Sequence, residues 1–182
     1  LEALAARHAR LCPRQVLGAR IGLAGLQALG VEYAADDRSV LAFVEADGCF
    51  VSGVEVATGC SLGHRTLHVR DYGKVAATFV EHVSGRAFRV APRPGIREWA
   101  ARYSDDPRRY FAQLEGYRVM PVEELLDVRP VQVAEDLPAL LGARGVRVDC
   151  AVCGEEVMNG REVMRDGVPC CRACDGGAYL VR

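Results

Sequence analysis

The chain has 182 residues, a formal net charge of −1 at pH 7 and a hydrophobic content of 50%. That length suits one ordinary domain with a small module attached, and the balanced charge gives no global attraction to nucleic acid. No run of about 18 apolar residues occurs, so no membrane-spanning helix is expected. Leu1-Glu2-Ala3-Leu4 also lacks the basic and apolar regions of a signal peptide.

From Val16, apolar residues Leu17, Ile21, Ala24 and Ala28 recur at three- and four-residue steps. This predicts helix over 1–29, in one piece or in two meeting near Cys12-Pro13, with Gly30 as its stop. Small residues Gly18, Ala19, Gly22, Ala24 and Gly25 allow close packing, either on a second copy or on the chain's own sheet. Val40–Val44 reads as a buried strand and Cys49–Thr58 as a helix ended by Gly59. Segments 66–70, 76–80 and 87–90, with turns at Asp71-Tyr72-Gly73-Lys74 and Ser84-Gly85-Arg86, predict an antiparallel meander. Residues 95–117 read as helix interrupted near Ser104–Pro107, where a fresh N-cap is expected. A short helix over Pro121–Leu126 and a strand over Val128–Val133 follow. The expected class is α+β, with helices packed on a mostly antiparallel sheet over 1–133. A linker over 134–148 and a four-cysteine zinc finger over 149–182 complete the chain.

The eight cysteines are unevenly spread: Cys12, Cys49 and Cys60 lie early, none falls in 61–149, and five crowd the end. A disulfide scaffold would distribute them, so a reduced, cytoplasmic protein with a metal module is expected. Cys150 and Cys153 in Cys-x-x-Cys-Gly, then Cys171 and Cys174 after a 17-residue gap, form a tetrahedral thiolate set of the kind zinc accepts. Cys170 is read as a bystander. A closed four-sulfur site leaves no open coordination position, so it folds the module and does not catalyse. Acidic residues offset the module's arginines, so its partner is expected to be protein and not nucleic acid.

Lys74 is the only lysine among 23 basic residues, which marks it as a candidate for chemistry that arginine cannot supply. His8 and Cys12 are four apart, on one face if helical. Cys49 opens a helix after Asp47-Gly48, where the helix dipole favours thiolate. Cys60 follows the same helix. A buried cysteine can equally be only a small hydrophobe.

These residues carry a resemblance. His8 to Pro13, the Glu45–Cys49 turn, Thr58-Gly59-Cys60-Ser61-Leu62-Gly63, Arg70-Asp71-Tyr72-Gly73-Lys74 and the terminal finger together resemble the FmdE family, which takes its name from formylmethanofuran dehydrogenase. The resemblance implies a dimeric α+β core with a Cys/His pocket, followed by a zinc finger. It places His8, Cys12, Cys49, Cys60, Asp71, Tyr72 and Lys74 around that pocket. Arg10 and Arg14 depart from the family's His-x-His-x-Cys-Pro-Gly segment, which removes one imidazole ligand and adds positive charge.

The resulting expectation is an accessory protein: a homodimer whose core pocket holds a second metal or small cofactor, with a structural zinc in the finger. The alternative is a thiol- or metal-dependent enzyme using Cys12 and Cys49 with His8 or Lys74. A pocket without metal is expected to hold an anion near Arg10 or Arg14.

Overall fold

Val40–Val44 has no polar member, and as strand β1 it buries all five side chains. The computed structural model describes residues 2, 4, 10–32, 38–142 and 145–180. They fall into two units, Leu1–Ala134 and Glu135–Arg182.

In the first unit, helix α1 runs Pro13–Leu29 and ends on Gly30, whose φ of 67° is left-handed. Helix α2 runs Cys49–Thr58 and is capped by Gly59. Gly48 precedes it at φ 80°, ψ −156°, a conformation that suits glycine and turns the chain from β1 into α2. Strands β2 (Leu67–Val69), β3 (Ala77–Glu81), β4 (Ala87–Pro92) and β5 (Leu126–Val131) complete a sheet ordered β2-β1-β3-β4-β5. Between β4 and β5 lie α3 (Ile96–Trp99), a 3₁₀ turn (Ala100–Tyr103), α4 (Arg109–Val119) and α5 (Val122–Leu125).

The expected meander is corrected at one edge. β2 pairs in parallel with β1, with Phe43 opposite His68 and their rings stacked at 5.2 Å. The intervening α2 supplies the crossover that parallel pairing requires. Residues 71–74 are therefore not a hairpin turn. Arg70 donates its N–H to the Val44 carbonyl, and Tyr72 and Lys74 both donate to the Glu45 carbonyl. These bonds carry the chain over the end of β1, so that β3 lands on its far side, antiparallel. The sheet is otherwise antiparallel, and the unit is α+β.

The stripe of small residues on α1 is used inside the chain. A Cβ at Gly18 would strike the Phe50 backbone, one at Gly22 would sit 2.8 Å from Ala57 Cβ, and one at Gly25 would meet the Phe79 ring. From the other side, Gly53 of α2 lies against Gln15, Gly18 and Ala19. Val16, Ile21, Leu29, Phe50, Val54, Phe79 and Val90 are among the buried side chains that join helices to sheet.

The start of α4 differs from the expected cap. Its N-cap is Arg108, and Asp106 Oδ1 accepts the Arg108 N–H at 2.9 Å. Asp106 also holds the Arg108 side chain at 2.6 Å, and that guanidinium keeps its carboxyl at about 2.

In the second unit, the stretch expected as linker includes an α6 helix, Leu137–Gly142, begun by Asp136 accepting the Ala139 N–H. Two small hairpins follow, β6 (Arg147–Asp149) with β7 (Glu156–Met158), and β8 (Val163–Arg165) with β9 (Val168–Cys170). Asp166 and Gly167, both at positive φ, make the turn of the second, as its Asp-Gly signal predicts.

Candidate metal centres and an arginine-lined cavity

The hairpins of the second unit bring two turns together. Cys150 and Cys153 come from the turn after β6, and Cys171 and Cys174 from the turn after β9. Their sulfurs all lie within 4.8 Å of one another. The Cys153 and Cys171 sulfurs are 4.0 Å apart. Zn–S bonds of about 2.3 Å at tetrahedral angles call for about 3.8 Å, so the donor set fits a zinc ion.

Backbone amides point at these sulfurs: Cys171 N–H donates to Cys150 Sγ at 3.2 Å and Cys174 N–H to Cys171 Sγ at 3.3 Å. Amide donors from Cys153, Cys171 and Val152 pull the Cys150 thiol down to about 6, the direction that favours the ligating thiolate. Hydrogen bonding to Cys171, with burial, pushes Cys174 up to about 12. Cys170 is buried with Val157 beside the cluster and is not one of its four members.

In the first unit, Cys12 and Cys49 come from the starts of two different helices. Cys12 is the N-cap of α1: its sulfur accepts the N–H of Gln15, and Gln15 Oε1 accepts the N–H of Cys12 at 2.8 Å. This is a capping box with cysteine in the usual serine place. Cys49 opens α2 and is exposed. The two thiols are neighbours, and burial, followed by the nearby Cys49, pushes the Cys12 thiol up. A metal taking Cys12 must therefore displace a proton.

The turn between β1 and α2 is anchored by Glu45. It is buried, and Arg89 of β4 grips it through both carboxylate oxygens, at 2.6 and 2.7 Å. Because the Glu45 carbonyl holds the amides of Tyr72 and Lys74, the 70–74 loop is tied to the turn that leads to Cys49. Asp71 caps this loop by accepting the Gly73 N–H. Tyr72 and Lys74 are exposed. Cys60 lies apart: it is buried beyond the other end of α2, with its thiol donating to the Val40 carbonyl. His8 falls outside the described residues. The structure thus brings Cys12 and Cys49 together, ties the loop of Asp71, Tyr72 and Lys74 to the same turn, and separates Cys60.

Next to this turn is a cavity of about 430 Å³, walled by segments far apart in sequence. Pro13, Arg14 and Leu17 come from α1, and Val75 from the loop after Lys74. Arg93, Arg97 and Glu98 come from the end of β4 and from α3, and Arg109, Gln113 and Tyr117 from one face of α4. Four guanidiniums thus face a single carboxylate. Arg14, the candidate anion-binding arginine of the sequence, lines it; Arg10 does not. Arg93, Arg97, Arg109 and Tyr117 escaped the sequence reading, although the four-residue steps from Arg109 to Gln113 and Tyr117 mark one helix face.

Comparison with known proteins adds two relatives. A probable S-adenosyl-L-methionine-binding protein of Archaeoglobus fulgidus is 30% identical over 206 residues, covering 96% of this chain and 52% of that protein. The chain thus spans about half the length of the curated relative it matches. The crystal structure of a tungsten formylmethanofuran dehydrogenase FmdE-like protein from Syntrophus aciditrophicus superposes with a TM-score of 0.66 at 21% identity. That match covers 99% of this chain and 92% of the other, and it bears on the fold alone. The family described as "FmdE, Molybdenum formylmethanofuran dehydrogenase operon" matches residues 7–127, two thirds of the chain, and the protein belongs to the FmdE family.

Proposed function

We propose that this chain is a metal-binding accessory protein of the FmdE type. In this reading the core holds a metal ion or small cofactor at Cys12 and Cys49, with His8 as a third donor and Asp71, Tyr72 and Lys74 on the adjoining loop. The finger of residues 149–182 is held by a structural zinc on Cys150, Cys153, Cys171 and Cys174. The observation that carries the core site is the meeting of two thiols from the starts of separate helices. Soft thiolates with an imidazole suit zinc or another borderline-soft ion. Fewer than four protein ligands would leave a position for a further group.

The name of the Archaeoglobus relative makes S-adenosyl-L-methionine a candidate organic cofactor. Its sulfonium and ammonium outweigh its one carboxylate, so it is a net cation, and a cavity rich in guanidinium disfavours it. The metal reading is therefore preferred. Homodimerisation and protein contacts through the finger belong to the same proposal; the dimer rests on the family, since the small residues of α1 pack within the chain.

Metal analysis of the purified chain tests the reading. Two ions per chain are expected, falling to one in Cys49→Ser and to one, with a protease-sensitive C-terminus, in Cys153→Ser. Cys170→Ser keeps both. One ion per chain, insensitive to Cys49→Ser, sinks the core site and leaves the finger.

A further inference from the structure

The arginine-lined cavity has features that a metal site at the thiols does not use. Its four guanidiniums arrive from α1, the end of β4, α3 and α4, so they gather by folding and not as a run in the sequence. The side chains of Arg14 and Arg97 make no hydrogen bond or ion pair among the described residues. Arg109 has only a long pair with Glu98, 3.9 Å, with both side chains exposed. Arg93 spends its Nε–H on the Leu126 carbonyl at 3.2 Å, which leaves its terminal nitrogens. Such spare donor capacity around one concave volume is what an anion needs.

A second observation points the same way. Tyr117 is 3% exposed and lines the cavity. Its hydroxyl makes no hydrogen bond to another described residue, yet its oxygen is not sealed from solvent, so it is free to bond a group in the cavity. Burial raises its pKa, and the charges of Arg97, Glu98 and Arg109 act on it, the arginines lowering it and the carboxylate raising it. The phenol is thus a spare donor on the wall of the cavity that these arginines also line.

We propose that this cavity binds a phosphate-bearing small molecule, its phosphate held by Arg14, Arg97 and Arg109 and hydrogen-bonded by Tyr117. A carboxylate is satisfied by one bidentate guanidinium, whereas a phosphate presents three oxygens and close to two charges, enough to engage several arginines from different elements. The volume exceeds what a free phosphate fills and lies within the range of small-molecule sites, so an organic portion accompanies the phosphate. The inference does not rest on metal at Cys12 and Cys49.

The test uses the full zinc-loaded chain with inorganic pyrophosphate as probe, followed by calorimetry. Fluorescence of Trp99, the only tryptophan, is the second readout; its indole lies 3.6 Å from the Cβ position of Gly95 on the cavity wall. Saturable binding is expected. Arg14→Ala and Arg97→Ala should each weaken it about tenfold, the effect of losing one charge-assisted hydrogen bond. Tyr117→Phe should weaken it several-fold with an unchanged melting temperature. Absence of binding at millimolar pyrophosphate, or binding indifferent to both arginine variants, overturns the proposal. So does S-adenosyl-L-methionine binding the same cavity more tightly than pyrophosphate. Metal content measured on the same samples keeps this outcome separate from that of the thiol site.

Discussion

The contact between α1 and α2 positions the two core thiols, and one substitution tests that dependence. Gly53 faces α1 one helical turn along α2 from Cys49. A Cβ there would overlap the Gln15 carbonyl oxygen and lie 2.6 Å from the Ala19 nitrogen, where ordinary contact begins at 3.4 Å. The obstacles are backbone atoms of a 17-residue helix, which cannot swing aside as a flexible side chain could. In open space Gly→Ala within a helix gains up to about 1 kcal/mol. Here about 3 kcal/mol of overpacking opposes that gain, for a net loss of about 2 kcal/mol. For a unit of this size, Gly53→Ala should lower the melting temperature by about 8 °C. Because Gln15 is the capping partner of Cys12, the displacement should also part the thiols. Labelling with a trivalent arsenical, which needs two adjacent thiols, followed by peptide mapping, should find the Cys12–Cys49 pair in the parent chain and much less of it in the variant. Gly63→Ala, with nothing within 4 Å, is the control and should leave both readouts unchanged. If Gly53→Ala melts with the parent and still takes the arsenical, the helix contact does not set the thiol geometry.

Alkylation of the metal-free chain under native conditions should proceed in the order Cys49, Cys12, Cys60, following exposure, and bound zinc should protect the first two; mass spectrometry of partially labelled protein reads the order directly. Sedimentation equilibrium should give a dimer at micromolar concentration, and a monomer there removes the homodimer from the proposal.

The finger was legible in the sequence because its information is local: two Cys-x-x-Cys turns and an Asp-Gly hairpin fix the site over a few residues. Likewise, Val40–Val44 and Cys49–Thr58 declare themselves through apolar run, periodicity and glycine stops. The order of strands was not legible. Whether Leu67–Val69 pairs with β1 or β3 depends on the Glu45 carbonyl collecting two amides from a loop more than 25 residues away. The ion pair of Glu45 with Arg89 and the cavity joining Arg14 to Arg93, Arg97 and Arg109 are products of that same tertiary arrangement. Of these arginines, only Arg14 stood out in the sequence, because it replaces the glycine of the segment that resembles the FmdE family.

The capping box at Cys12 gives one sulfur two tasks. It closes the first turn of α1 by accepting an amide proton, and it is a candidate donor atom to a metal. The two are compatible, since a sulfur has lone pairs for both, and an ionised sulfur is the stronger acceptor. A cation that stripped the proton from Cys12 would therefore tighten the turn whose next residues, Pro13 and Arg14, wall the cavity. An anion that drew Arg14 inward would act on the same turn from the other side. Were both proposed ligands to bind, they would be linked through a single helical turn, and whatever factor one imposed on the affinity of the other would be returned in equal measure.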